Sequence, residues 1–71
     1  EHLEANFNLG TCLVIAAQNS TDLVFQKENI SKAIKHFKNY LDIYPQIFNR
    51  NEVLENINLL EAYLKQIESY L

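Results

Sequence analysis

The side chains able to do metal, nucleophilic or acid–base chemistry are few and scattered. Cys12, His2 and His36 are the only soft metal ligands in the chain. Their spacing matches no zinc pattern, in which ligands come in closely spaced pairs. His36 lies beside Phe37, with no Cys or Ser nucleophile implied near it, and reads as a surface or half-buried helix residue. Glu52 and Glu55 are the one candidate carboxylate pair. Near a helix start they suit the positive end of the helix dipole, which explains them without catalysis. Gly10 is the only glycine, so no glycine-rich phosphate loop exists. The sequence therefore predicts a non-catalytic chain with no cofactor and no metal.

The chain has 71 residues, which bounds it to one domain. A chain this short buries only about 60% of the surface its unfolded form exposes, and small domains usually need a staple. Cys12 has no second cysteine to bridge to, and the disulfide framework of small secreted domains is missing. With metal and disulfide set aside, a partner surface is the remaining staple. The net charge of −3 argues against nucleic acid, which calls for a basic surface. The longest apolar run, Cys12 to Ala17, falls far below the roughly 20 residues of a membrane span, and no signal segment is visible. The chain contains no Met, so it reads as a fragment or a processed chain, with any targeting signal outside it. The compartment is unassigned, and an intracellular one is the expectation.

The elements available to carry an interaction surface are helices. One glycine and one proline give too little turn punctuation for a strand-rich domain. Leu3, Phe7, Gly10, Val14 and Ala17 recur three or four apart, which predicts a first helix over about 2–18. Asn19-Ser20-Thr21-Asp22 breaks it, because these side chains compete for backbone hydrogen bonds. Ile30, Ala33, Ile34, Phe37, Tyr40, Leu41 and Tyr44 form a wide apolar stripe over about 29–44. Asn29 is the expected N-cap, and Pro45 stops the helix by restricting the residue before it. Lys32, Lys35 and Lys38 lie off the stripe, either as a solvated face or as a basic patch. Residues 19–28 form an insertion loop. Its Leu23, Val24 and Phe25 imply either an extra turn leading into the second helix or a tip that inserts into a partner.

A third helix is expected over about 50–70. Asn49 with Glu52 resembles a capping box. Val53, Ile57, Leu60, Leu64, Ile67 and Leu71 alternate steps of four and three, a heptad seam. Leu59, Tyr63 and Tyr70 widen the stripe on one flank, so this helix is expected to touch neighbours on two sides.

Two strings share a pattern with a known family. The first helix carries Asn6-x-x-Leu9-Gly10-x-x-Leu13; the second carries Ala33-x-x-x-Phe37 and Leu41, closed by Pro45. Together these resemble one tetratricopeptide repeat, a helical hairpin of about 34 residues. The resemblance implies an all-α fragment of a right-handed α-α superhelix. Gly10 and Ala33 would mark the helix crossing, and Leu9, Leu13, Phe37 and Leu41 would fill the space around it. The spacing from Gly10 to Ala33 is roughly eleven residues longer than the family's, which places an insertion at 19–27. Tyr40 stands where the family has a small Ala, and Asn6 replaces a large aromatic. Glu55 occupies the glycine site of any second repeat, so the third helix is expected to close or cap the hairpin.

The resemblance also implies function. Tetratricopeptide repeats bind proteins or peptides in a groove lined by the first helix of each hairpin. Carried over by position, Glu4, Phe7, Asn8, Thr11 and Ile15 become groove candidates, with Phe7 alternatively in the hairpin core. Asn8 is present, but this face has no Lys or Arg, so an apolar or amide-rich contact is expected in place of a carboxylate clamp. Phe48, Tyr63, Leu64 and Tyr70 are the candidates on or beside the third helix for contact with another chain, including a homo-oligomer or larger complex. The alternative is a small non-catalytic structural subunit or fragment locked into a larger assembly.

Overall fold

The computed structural model describes residues 2–71, with side chains described from Phe7 onward. The fold is all-α, with α1 at His2–Gln18, α2 at Leu23–Ile43 and α3 at Arg50–Ser69. The central helix is α2, which packs against α1 and α3, while among the described residues no close backbone contact joins α1 to α3. Lys27 reaches Glu68 at 3.7 Å and Lys38 reaches Glu61 at 3.2 Å, so α2 and α3 run antiparallel. The body measures 36 × 20 × 14 Å, long along the helices and thin across them.

The core is one ladder of apolar side chains on α2, filled from both sides. It holds Ala17 of α1, with Ile30, Ala33, Ile34, Phe37 and Tyr40 of α2 and Val53, Ile57, Leu60 and Ile67 of α3. Ile30 and Val53 are the largest side chains wholly removed from solvent. Each such burial stabilises the fold by about 1.5–3 kcal/mol. The heptad seam of α3 is spent inside the chain as far as Ile67: Val53, Ile57, Leu60 and Ile67 are buried, and Leu64 packs against the same core, while Leu71 lies past the helix end and is exposed.

The second helix starts at Leu23, six residues before the expected position, and the reason is Asp22. Its Oδ1 accepts from the Val24 and Phe25 backbone N–H groups at 2.9 and 3.3 Å. A carboxylate there satisfies orphan donors and complements the helix dipole. Ser20 Oγ accepts from the Asp22 N–H at 3.1 Å, and the Gln26 side chain donates to the Ser20 carbonyl. Leu23 packs against the core and continues the stripe back from Ile30 by two turns. Asn29 is therefore no cap; its Nδ2 donates to the Phe25 carbonyl at 2.8 Å inside the helix. The expected insertion loop shrinks to a link over 19–22.

The end of α2 and the start of α3 lie beside Pro45 and Asn49. The last helical residue of α2 is Ile43, and the Tyr44 N–H closes its final turn on the Tyr40 carbonyl at 3.0 Å. Asn49 occupies the N-cap position of α3 but makes no side-chain cap bond, so the capping box is absent. Its Oδ1 instead accepts from the Tyr40 hydroxyl at 3.1 Å. Tyr40 is buried, and a buried hydroxyl without a partner costs about 1–3 kcal/mol, which makes it the stronger claimant on Asn49.

Gly10 is buried where α1 meets α2, as its type suggests, and the atoms nearest to it from α2 are those of the Phe37 ring. A Cβ built on Gly10 would lie 2.9 Å from two Phe37 ring carbons. The Phe7 ring meets Phe37 edge-on at 5.6 Å and tilts against Tyr40 at 5.4 Å. This aromatic cluster takes the space that Leu9 was expected to fill, and Leu9 is left 47% exposed.

Candidate partner-binding groove

With no close backbone contact joining α1 to α3 among the described residues, a groove of about 360 Å³ runs between them. One wall is Thr11, Val14 and Gln18 of α1, spaced three and four apart on one helix face. The other is Asn56, Leu59, Leu60 and Tyr63 of α3, again on one face. Phe37 of α2 forms the floor, held from behind by Phe7 and by the missing side chain of Gly10.

The lining carries no charged side chain. Val14, Leu59 and Tyr63 supply most of the apolar surface, with only the edges of the buried Phe37 and Leu60 reaching the groove, while Gln18 and Asn56 supply two amides. The Thr11 hydroxyl donates to the Phe7 carbonyl at 3.0 Å, which turns its lone pairs outward as acceptors. Charges gather on the reverse face of α2 and α3, where Lys38, Asp42, Arg50 and Glu61 surround a second recess. The Lys38–Glu61 ion pair there is about half exposed and is worth about 0.2–1 kcal/mol at most. A groove of this makeup suits an uncharged apolar segment with backbone or side-chain amides to satisfy.

The sequence-derived candidates divide among several places. Thr11 and Tyr63 face each other across the groove. Phe7 packs against the hairpin core, edge-on to Phe37. Asn8 and Ile15 are exposed on α1 outside the groove. The side chain of Glu4 lies outside the described residues. Leu64 is packed against the core. Phe48, in the α2–α3 connection, is 95% exposed, and Tyr70, at the end of α3, is 70% exposed. Both stand away from the groove lining.

Val14, Gln18, Phe37, Asn56, Leu59 and Leu60 were not among the candidates. The signal that could have found them is the second apolar flank of α3, where Leu59 and Tyr63 stand one turn apart beside the seam. A helix with two apolar flanks has a second neighbour to serve, and Asn56 lies one turn before Leu59 on that flank. Among the described residues no group of three or more His, Cys, Asp or Glu could hold a metal ion. No helix of the described residues is long and apolar enough to cross a membrane. No family model, curated protein or solved structure matches this chain.

Proposed function

We propose that this chain is a non-catalytic protein-binding module of tetratricopeptide-repeat type. It takes an uncharged, apolar peptide segment in the groove between α1 and α3. The observation that carries this reading is the groove itself, with an aromatic floor at Phe37 and amides on both walls at Gln18 and Asn56. The Leu9-Gly10 and Ala33-x-x-x-Phe37 strings and Pro45 add the family resemblance.

Selection of a displayed peptide library against the chain tests it. The expected binders are rich in Leu, Phe, Asn and Gln and poor in charge. Leu59→Asp should weaken them at least tenfold, since it sets a carboxylate in the groove and burying an unpaired charge is strongly unfavourable. Leu59 is 65% exposed, so the helical far-UV circular dichroism should be unchanged. Binders indifferent to Leu59→Asp, or no binders, would refute the groove as the active surface.

A second reading, a subunit fixed permanently in a larger assembly, is favoured by Phe48 and Tyr70, two exposed aromatics off the groove. The two readings separate in the isolated chain. A folded helical species supports the binding module, and a disordered or aggregating one supports the fixed subunit.

A further inference from the structure

Taking the groove as the peptide-binding surface, on which this depends, we propose that it reads polarity: the apolar segment it holds is flanked, past the Thr11–Asn56 end, by a lysine or arginine side chain. Along α1 the contacts with α2 run backwards, from Phe7 on Tyr40 to Gly10 on Phe37. α1 is therefore antiparallel to α2, and so parallel to α3. The groove then has two distinct ends. Thr11 and Asn56 are the first wall residues of their helices, and Gln18 and Tyr63 are the last. At the first end the Thr11 hydroxyl commits its proton to the Phe7 carbonyl, so it can only accept from a ligand. One turn before Asn56, on the same face of α3, stands the exposed Glu52. Of the four carboxylates of α3, Glu61 and Glu68 pair with Lys38 and Lys27, whereas no described side chain pairs with Glu52 or Glu55. A place in the first turn of α3 stabilises Glu52 without giving it a counter-ion. At the other end the face of α3 continues through Gln66 and Tyr70, neither of them charged.

Charge and hydrogen bonding select the occupant together. An apolar group would leave the Thr11 oxygen unmet. A carboxylate would face Glu52 and have no proton to give Thr11. A Lys ammonium or an Arg guanidinium is positive and donates only, so it satisfies both. The spacing fits. From Thr11 to Gln18 helix α1 rises about 10 Å, the length of about three extended residues. Glu52 lies about 6 Å beyond Asn56 along the axis, within reach of a long basic side chain just outside the segment. The charged residue thus sits past the groove, whose own lining is uncharged.

Fluorescence anisotropy tests this with N-acetylated, C-amidated peptides taken from the library selection, each made with Lys, Gln or Glu at the flanking position. The selected sequences should carry Lys or Arg on one side of the apolar segment only. Lys should bind about two- to fivefold tighter than Gln, and Gln tighter than Glu, with the differences fading in about 0.5 M salt. Glu52→Lys should reverse the order, and Glu52→Gln should abolish it. The milder variant decides alone should Glu52→Lys lose helical circular dichroism. Asp42→Lys changes the net charge as much as Glu52→Lys but lies in the recess on the reverse face, and should leave the order intact. An order that survives Glu52→Gln, or that Asp42→Lys also reverses, overturns the proposal. So do peptides that bind alike with Lys and Gln while Leu59→Asp still blocks them, and in that case the groove stands. Peptides indifferent to Leu59→Asp remove the groove itself and this proposal with it.

Discussion

Replacing Gly10 by Ala adds one methyl group directly against the Phe37 ring. The new carbon would sit 2.9 Å from two ring carbons and 3.2 Å from a third, closer than carbon atoms ordinarily pack. The helix itself gains from the change, because Ala is better than Gly in a helix interior by about 1 kcal/mol. Against this, Phe37 is buried and pinned by the Phe7 ring at 5.6 Å, so it cannot simply swing away. Overpacking of such a site costs about 1–3 kcal/mol. The net expectation is a loss of about 0–2 kcal/mol. Urea denaturation followed by circular dichroism measures it, and a Phe37→Leu background separates the two contributions. With the ring gone, Gly10→Ala should become stabilising by up to about 1 kcal/mol, giving a coupling of about 1–3 kcal/mol between the two positions. If Gly10→Ala stabilises the native chain by the full propensity gain, and equally in both backgrounds, the ring contact is not what the glycine serves.

Asp22→Ala removes the cap that holds the Val24 and Phe25 N–H groups, and should reduce stability by about 0.5–2 kcal/mol. Amide exchange should show the loss concentrated in residues 23–28, whereas Asn29→Ala should leave the start of α2 protected. Leu64→Glu should act on folding rather than on association. The side chain packs against the core, so the variant should lose about 2 kcal/mol or more by denaturation, with its molar mass unchanged when measured under folding conditions.

The helix count, the end of α1 at Gln18, the stop at Pro45 and the seam of α3 were all legible in the sequence. Each rests on a local signal: a periodic stripe, a cluster of turn formers, or a proline. The start of α2 was not, because two capping residues competed. Asn29 precedes the densest part of the stripe, but Asp22 precedes Leu23, whose side chain reaches the core two turns before Ile30. Choosing between them requires knowing that the core extends that far. Asn49 shows the same limit in reverse. Its position follows from local sequence, while the use of its side chain depends on Tyr40, nine residues away in sequence and brought close only by packing. For the groove, Thr11 and Tyr63 could be picked out separately. Their meeting across Phe37 depends on how far α2 holds α1 and α3 apart, which no local pattern encodes.

The arrangement of α1 and α3 around α2 has a thermodynamic corollary. Each outer helix is anchored chiefly to the same middle helix, with no close backbone contact between the two among the described residues, so the undocking of α1 should weaken α3 little. In that respect the molecule behaves as a short one-dimensional chain of nearest-neighbour contacts. A molecule seated between Thr11 and Tyr63 would add the missing direct link and turn two independent openings into one cooperative event. Binding would then be felt as slowed amide exchange along both outer helices at once, including residues that the ligand never touches.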